Sequence, residues 1–256
     1  MADNLRLSIL MPVRNEGVTI EIMLKILRSV IEVSHEILII YDDPGDASIS
    51  VVEKLQPRYP HVRLVHNKLG KGVGNAIRSG ILESKSEYIL IFAIDEVGPV
   101  LAIDDMIALM DEGCDLVSCT RYAYGGRRLG GSMIGGILSR IANRLFRWLA
   151  GVAFTDSTTG IKMFRKKTFE NLKLEAKSVG WAVVFELAIK AQSERMILGE
   201  VPIISIDRLY GGASTFKLGL WLKEYLRWFF WGIAHLRKSK IKPQIKVRLP
   251  STYSKK

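Results

Sequence analysis

The sequence predicts an α/β fold in which a mainly parallel sheet is sandwiched by helices. Three observations support this prediction. Apolar runs typical of strands alternate four times with segments of helical periodicity, polar residues follow each strand, and 256 residues with 48% hydrophobic and 25% charged side chains can form one sizeable core. The same composition excludes a disordered chain and a protein of many membrane spans.

The first half of the chain supplies the pairs of strand and helix. Each strand is a run rich in apolar residues, and each helix shows apolar residues at helical spacing. The predicted pairs are strand 7–13 with helix 20–31, 35–43 with 47–56, 61–67 with 74–84, and 87–95 with 101–113, followed by a fifth strand over 114–122. Four alternations imply parallel strands with helices on both faces of the sheet.

The second half of the chain has a different texture. A glycine-rich, basic stretch after Arg121 leads into a predicted amphipathic helix whose arginines could face phosphate. These arginines are Arg140, Arg144 and Arg147. The remaining predicted elements are a turn from Asp156 into a strand, a helix over 181–194, and an edge strand within 199–214 that ends at Asp207 and Arg208.

The last predicted helix, over residues 218–236, is not expected to cross a bilayer alone. A span needs about 20 mostly apolar residues, and Lys223, Glu224 and Arg227 interrupt this segment. Its aromatic residues, together with a basic tail over 237–256, are typical of a C-terminal amphipathic helix in the headgroup plane. Packing on the core or on a partner protein is the alternative.

Composition and charge bound the remaining properties. A formal net charge of +11 attracts the phosphates of nucleic acid, nucleotide or anionic lipid alike, but no DNA- or RNA-binding module is recognised, so nucleic acid is not an expected partner. Cys114 and Cys119 are interpreted as reduced core thiols. No signal-peptide pattern is visible, which predicts a cytoplasmic protein. We divide the chain into a main domain, 1–218, and a helical and basic appendage, 219–256.

Polar side chains follow each predicted strand, at the edge where ligands collect in open parallel sheets. These residues are Arg14, Asn15 and Glu16 after the first strand, Asp42 and Asp43 after the second, Lys71 after the third, Asp95 and Glu96 after the fourth, and Arg121 after the fifth. A carboxylate or a cation at so many consecutive strand ends predicts a binding site along this edge.

Other chemical motifs are weak or absent. Gly70, Gly72 and Gly74 follow a strand, but the dinucleotide fingerprint needs its third glycine three residues beyond the second. The P-loop, HExxH and GxSxG patterns do not occur, and the four histidines are dispersed. A hydrolase or a metal site centred on histidine is therefore not expected.

Several segments together resemble family 2 glycosyltransferases with the GT-A fold. They are MPVRNEG, YDDPGD, LGKGVGNAIRSG, the strand ending at Asp95, TRYAYGG, DSTTGIKMF and VPIISIDRLYGGAS. TRYAYGG, DSTTG and DRLYG are similar to the dolichol-phosphate mannose synthase branch, which transfers a sugar from a nucleotide-diphosphate donor to a polyprenyl phosphate. The resemblance runs from about Leu7 to Lys217 and implies a GT-A, Rossmann-like sheet.

The resemblance implies a role for each matching residue. The nucleotide sugar would contact Pro12, Arg14, Glu16, Asp43, Lys71 and Asp95, although Arg14 stands where the family usually has an aromatic residue. The acceptor and donor phosphates would contact Arg121, Ser139 and Arg208, and Ser214 with Lys217 would lie on a loop that closes over the donor. Asp95, Arg121 and Arg208 are the expected catalytic residues, and Asp156 matches a residue whose role is structural.

The family's metal site is altered in this sequence. Alignment on Pro99 places Ala93 and Asp95 at the two usual aspartates and Val97 at a usual glutamine. Mg²⁺ keeps several waters and uses substrate phosphates, so Asp95 with the donor diphosphate is expected to hold Mg²⁺ or Mn²⁺. Metal-independent transfer and binding without turnover are the alternatives. Glu96 would point to the opposite face if the strand continued, and a turn would redirect it.

The implied substrates explain the cationic residues. A polyprenyl (dolichyl or undecaprenyl) phosphate and a nucleotide-diphosphate sugar are both anions, and arginines can bind both. The acceptor needs no strong general base, so Glu186 is expected to cap or form a salt bridge rather than to catalyse. The expected location is the cytoplasmic face of a membrane, with a membrane-protein partner as an additional prediction. Transfer to a glycan hydroxyl is the alternative reaction.

Overall fold

The computed structural model describes residues 5–130, 133–206, 218–237 and 243–250. The strands are β1 (Leu7–Pro12), β2 (His35–Tyr41), β3 (Val62–His66), β4 (Tyr88–Ile91), β5 (Leu116–Thr120), β6 (Arg127–Leu129), β7 (Lys162–Arg165), β8 (Leu198–Pro202), β9 (Ile204–Ile206) and β10 (Ile245–Val247). The helices are α1 (Gly17–Val30), α2 (Ala47–Leu55), α3 (Val73–Glu83), α4 (Ile103–Asp111), α5 (Met133–Ala150), α6 (Lys166–Asn171), α7 (Ala182–Ser193) and α8 (Leu218–Leu236), with a short 3-10 helix over Gly98–Ala102.

The main sheet has eight strands in the order β10-β8-β5-β7-β4-β1-β2-β3. β7 runs antiparallel to β4 and β5, and the other pairs are parallel. β6 and β9 form a second, two-stranded parallel sheet. The predicted mixed, mainly parallel α/β fold is confirmed.

Burial on both faces of the sheet explains the apolar strands. Successive residues of β1 alternate between two hydrophobic clusters: Ile9 and Met11 lie in one, and Leu10 lies in the other. The first cluster is completed by residues of α1 and α4, and the second by residues of α3, α5, α7 and α8. Cys114 and Cys119 are free and buried in the first cluster, so their prediction as core thiols is confirmed.

Two sequence predictions about strands were wrong. β8 is not an edge strand, because Ile245–Val247 pairs with its residues Leu198–Glu200 and forms the edge instead. This edge strand, β10, lies more than forty residues after β8 along the chain, inside the predicted appendage. The local sequence pattern there does not predict a strand. The fourth strand ends at Ile91 rather than at Asp95, because a turn begins where the chain leaves the sheet.

α8 packs on the body of the protein through one of its sides. Trp228 is 1% exposed and its indole N–H donates to Glu224 at 3.1 Å. The Phe229 ring packs against Phe146 of α5 at a tilt of 31°, with ring centroids 4.9 Å apart. Within the described ranges, no helix is long and apolar enough to cross a membrane. The division of the chain at residue 218 stays a prediction.

Candidate functional site

The loop after β1 is tied to the start of α2. Asn15 has a left-handed backbone, with φ of 58°, and its N–H donates to both carboxylate oxygens of Asp46 at 3.1 and 3.0 Å. Asp46 also caps α2 by accepting from the Ser48 N–H at 2.8 Å. This tie presents Arg14 to solvent next to the half-buried Pro12. Glu16 lies on the same loop, and its N–H donates to the Ser48 hydroxyl at 2.9 Å.

Asp43, which follows β2, and Lys71, which lies in the turn after β3, come together in the structure. The Lys71 ammonium lies 3.3 Å from the Asp43 carboxylate, and the two side chains are 77% and 60% exposed. The Gly45 N–H, then the Lys71 ammonium, lower the pKa of Asp43 below its ordinary value. The pair is open to solvent, so an incoming ligand can compete for both charges.

The neighbouring Asp42 shapes the glycine turn. Its carboxylate accepts from the Asn67 side chain at 2.6 Å and from the Gly72 N–H at 2.8 Å. Gly72 has φ of 116°, and a Cβ there would overlap the carbonyl oxygen of Ser178. Gly72 therefore permits the close packing of this turn on Ser178. The sequence alone did not indicate that Asn67 holds Asp42 in this turn. The feature that could have indicated it is the position of Asn67 directly after β3.

The segment after β4 is a turn clamped onto β9. The Glu96 N–H donates to the Ala93 carbonyl at 3.2 Å, and the Glu96 carboxylate accepts from the Ser205 hydroxyl at 3.0 Å. A Cβ at Gly98 would overlap the Ile204 carbonyl, so glycine permits this close approach. The turn redirects Glu96 toward β9. Of the two alternatives for Glu96, a continuing strand or a turn, the structure therefore has the turn. Asp95 lies half-buried in the turn.

A metal site is not formed by the protein alone in the part of the chain that the structure describes. There, no three side chains of His, Cys, Asp or Glu come together in an arrangement that could hold a metal ion. Asp95 would supply one carboxylate, and Ala93 and Val97 stand where the resemblance to family 2 glycosyltransferases implies the other two ligands. Mg²⁺ demands near-octahedral oxygen ligands, so these residues do not fit a metal without oxygen ligands from elsewhere.

Arg121, at the end of β5, is held by Asp156. Its Nε lies 2.7 Å from Oδ2 and its Nη2 lies 3.1 Å from Oδ1 of that carboxylate. The side chains are 12% and 0% exposed. Burial would lower the pKa of Arg121, but the adjacent carboxylate raises it above its ordinary value. Burial would likewise raise the pKa of Asp156, and Arg121 lowers it. Both groups therefore stay charged.

Ser139 and Arg121 converge on Thr158. The Ser139 hydroxyl lies 3.3 Å from the Thr158 hydroxyl, which also accepts from Arg121 Nη2 at 3.2 Å. Asn143, one turn after Ser139 on α5, donates to the same hydroxyl at 3.1 Å and accepts from the Ser157 N–H at 2.9 Å. The start of α5 is thus fixed beside Arg121, and the phosphate-binding role of these residues stays a prediction.

Two buried charges lie behind this cluster, and sequence analysis missed both. Glu200 of β8 accepts from the Thr155 and Asp156 N–H groups at 2.8 and 3.3 Å, and its second carboxylate oxygen is buried without a hydrogen bond among the described residues. Burial raises the pKa of Glu200 to about 7. Lys162 of β7 donates to Ser118 and Thr159, and burial lowers its pKa to about 8. The sequence feature that could have identified Glu200 and Lys162 is a charged residue within a mostly apolar strand.

Glu186 has a structural role. It is fully buried, and its carboxylate accepts from the Glu175 and Ala176 N–H groups, both at 2.6 Å. It also pairs with Lys190 at 2.9 Å. The expectation of a structural role rather than a general base agrees with these contacts.

The structure brings most of the predicted residues to one edge of the sheet. Asp43 follows β2, Asp95 follows β4 and Arg121 follows β5, and these three strands are parallel and two positions apart. At about 4.8 Å per strand, the edge from Asp43 to Arg121 spans roughly 20 Å. Three predicted residues lie outside the described residues: Arg208, Ser214 and Lys217.

Comparison with known proteins adds sequence relatives. Residues 8–173 match the profile of glycosyl transferase family 2. The chain is 26% identical to a dolichol-phosphate mannosyltransferase of Pyrococcus furiosus over 235 residues, which cover 87% of this chain and 62% of that protein. It is 27% identical to a polyprenol monophosphomannose synthase of Mycolicibacterium smegmatis over 187 residues, or 68% of each chain. The chain therefore spans less than two thirds of the first relative.

Solved structures share the fold at low sequence identity. Glucosyl-3-phosphoglycerate synthase from Mycobacterium tuberculosis, in complex with Mn²⁺, UDP and glucosyl-3-phosphoglycerate, matches with a TM-score of 0.69 at 16% identity, covering 90% of this chain and 80% of that one. The same enzyme with Mg²⁺ and UDP matches with a TM-score of 0.68 at 15% identity, covering 90% and 79%. These matches establish the fold.

Proposed function

The chain belongs to glycosyl transferase family 2, and on that premise we propose that it transfers a sugar from a nucleoside-diphosphate sugar to a polyprenyl phosphate. Two relatives are named for mannosyl transfer to dolichol phosphate or polyprenol monophosphate. The observation that carries the proposal is the edge itself, where an exposed Asp43–Lys71 pair and the Arg121–Ser139 cluster lie about four strands apart.

The donor end is proposed at Asp43 and Lys71. The Asp43 carboxylate can accept hydrogen bonds from ribose hydroxyls, and the Lys71 ammonium can donate to a phosphate oxygen. Pro12 ends β1, and Arg14 and Glu16 lie on the loop that follows it. These residues would border the nucleotide, since β1 is next to β2.

The acceptor end is proposed at Arg121 and Ser139. A guanidinium carries five N–H donors, and the contacts with Asp156 and Thr158 use Nε and Nη2. Among the described residues, the Nη1 end is thereby left for a phosphate oxygen. Asp156 acts as a positioning residue in this proposal, because it fixes the plane of the guanidinium.

The reaction follows from the charges of its substrates. An oxygen of the lipid phosphate attacks the anomeric carbon, the bond from that carbon to the donor diphosphate breaks, and the nucleoside diphosphate leaves with the electron pair. The nucleophile is already an anion, so no strong general base is required, and Glu186 is engaged elsewhere. The chain contributes orientation and cationic groups that offset charge on the departing diphosphate.

We retain the prediction that Asp95 and the donor phosphates hold Mg²⁺ or Mn²⁺, which neighbours of the same fold bind. Such a cation would offset charge on the diphosphate when bound. Transfer that continues undiminished in EDTA would remove this role from Asp95 and favour the metal-independent alternative. We propose that the reaction takes place at a membrane surface, because the acceptor is a lipid, and the cytoplasmic face stays a prediction.

The test is a transfer assay on the purified protein with labelled nucleotide sugars and polyprenyl phosphate. We expect label in a glycolipid, and we expect Arg121→Lys to lower the rate strongly because Lys cannot bind Asp156 and phosphate with a planar fork. Arg165→Lys is the matched control, since Arg165 also pairs with a carboxylate but lies where β7 meets the start of β4.

Binding without turnover is the second candidate, and the incomplete metal ligand set favours it. Calorimetry that shows donor binding, with no product from any sugar in the panel, would support this candidate and contradict transfer. Label recovered only in water-soluble glycan would instead indicate a hydroxyl acceptor.

A further inference from the structure

We propose that α5 is the face that lies on the membrane, and that the cavity at its C-terminal end takes the phosphate headgroup of an anionic lipid. This inference rests on the proposed function, because it names the surface from which the lipid substrate reaches Arg121. It differs from the sequence prediction, which assigned membrane contact to α8.

The first observation is an exposed apolar stripe along α5. Its members are Met133, Ile137, Ile141, Leu145 and Trp148, which are 78%, 53%, 48%, 44% and 78% exposed. Their spacing of four, four, four and three residues places them on one side of a helix. The buried residues Asn143, Phe146 and Ala150 lie on the opposite side, at about 100° per residue. α5 therefore packs on the core with one face and presents an apolar face to its surroundings.

The second observation is positive charge along one flank of that stripe. Arg140, Arg144 and Arg147 are all exposed, and α5 contains no acidic residue. No carboxylate among the described residues pairs with Arg144 or Arg147, whereas Arg227 of α8 pairs with Glu224 and Glu175. An apolar face bordered by unpaired arginines is typical of a helix that lies in the interface of an anionic membrane.

The third observation is a cavity of about 540 Å³ where α5 ends. Arg144, Arg147 and Trp148 line one side, and Pro243 and Ile245 line the other. Two guanidinium forks one turn apart suit a phosphate group, and tryptophan is favoured at the level of lipid headgroups. The cavity is open, and none of the described residues that line it is acidic, so its charge complements an anionic headgroup.

The position of α5 connects this surface to the proposed site. Ser139 on its first half lies beside Thr158 and Arg121, and the cavity begins with Arg144 on its second half. Eight residues separate Ser139 from Arg147, which is about 12 Å along a helix. A lipid headgroup in the cavity and a lipid phosphate at Arg121 could therefore both come from the membrane on which α5 lies.

The experiment measures sedimentation of the full chain with vesicles of phosphatidylcholine, alone or with phosphatidylglycerol, without donor or acceptor. We expect binding to the anionic vesicles, and roughly thirtyfold weaker binding for Arg144→Gln with Arg147→Gln, since each cation near an anionic surface contributes about 1 kcal/mol. The charge-matched control is Lys54→Gln with Lys85→Gln, which are exposed elsewhere and should change binding little. Thermal midpoints verify that every variant folds.

A second pair of variants distinguishes the two helices. Ile141→Glu with Trp148→Glu should release the protein from vesicles, and Leu226→Glu with Phe230→Glu on the exposed side of α8 should release it much less. Equal binding to neutral and anionic vesicles would overturn the headgroup site, and so would free inorganic phosphate binding at Arg144 and Arg147 without any vesicle preference. Release by the α8 pair alone would overturn the role of α5.

Failure of this inference and failure of the proposed function give different results. Vesicle binding needs no turnover, so a protein that sediments normally but transfers no sugar contradicts only the proposed function. A protein that transfers sugar to polyprenyl phosphate in detergent, but ignores anionic vesicles, contradicts only the inference about α5.

Discussion

The two ends of the strand edge differ in how far their charges are removed from water. At the donor end, Asp43 and Lys71 are 60% and 77% exposed. At the acceptor end, Asp156, Lys162 and Glu200 are all 0% exposed. Exposed charges are screened and can exchange partners with a ligand at little cost, whereas buried charges are stable only with their partners in place. The proposed donor end can therefore exchange its partners for a ligand, whereas the buried charges at the proposed acceptor end keep a fixed geometry.

This contrast also concerns what each residue contributes to folding. A charge pair on the surface contributes little to the free energy of unfolding. Removal of one partner from a buried pair lowers that free energy strongly, because the other charge stays buried without compensation. Variants at the two ends should consequently separate into those that change ligand affinity and those that change stability.

The largest effect is expected for Asp156→Ala. Removal of this carboxylate leaves the Arg121 guanidinium, 12% exposed, without its partner, and breaking a buried ion pair costs about 3–5 kcal/mol. Denaturation by urea, followed by circular dichroism, would measure the loss. Asp43→Ala is the matched variant at the donor end and should leave the unfolding midpoint almost unchanged. Similar losses from both variants would contradict the contrast between the two ends.

The second effect is a pH dependence from Glu200. Burial raises its pKa from 4.5 to about 7, so the folded state binds a proton more tightly than the unfolded state does. The contribution of Glu200 is complete below pH 4.5 and is lost as pH rises through about 7, and the shift corresponds to about 3 kcal/mol. The difference in unfolding free energy between the wild type and Glu200→Gln should follow this curve. A difference that does not vary with pH would mean that the pKa of Glu200 is the same in the folded and unfolded states.

The third effect tests whether every residue near the proposed donor end can be changed without loss of stability. Gly72→Ala should destabilise the protein by about 1–3 kcal/mol, because φ of 116° strains any side chain and a Cβ would overlap the Ser178 carbonyl. Gly113→Ala is the control, since Gly113 also has a positive φ, 93°, but nothing lies within 4 Å of a Cβ there. If both variants lose the same stability, backbone strain alone accounts for the effect and packing on Ser178 contributes nothing.

The local sequence pattern was sufficient to predict the strands of the sheet, but not where β4 ends or which strand forms the edge. Apolar runs such as residues 35–43 gave the strands because parallel strands are buried on both faces. β4 ends at Ile91, and the segment that follows lies close to Ile204 at Gly98, over a hundred residues away along the chain. The edge position of β10 depends on pairing with β8. Contacts of this range leave no periodicity in the sequence.

The candidate site could be predicted at its exposed end and much less at its buried end. Asp43 and Lys71 lie in the connections that follow β2 and β3, so the rule that ligands collect at strand ends was enough to single them out. Lys162 and Glu200 lie inside strands, and their burial follows from β7 and β8 lying on either side of β5. Only the order of the strands, which alternation does not determine, places these two charges behind Asp156.

The smallest effect on folding is expected for Lys71→Ala, which should act on the donor instead. Its ammonium is largely exposed, so the unfolding midpoint should not change. Loss of a charged hydrogen bond to the donor diphosphate should weaken donor binding on the order of tenfold at low salt, and less at high salt because exposed charges are screened. Calorimetry with the nucleoside diphosphate at two salt concentrations measures this, with Lys68→Ala as the neighbouring control. Equal weakening by both variants would show that general positive charge, rather than the cation facing Asp43, attracts the donor.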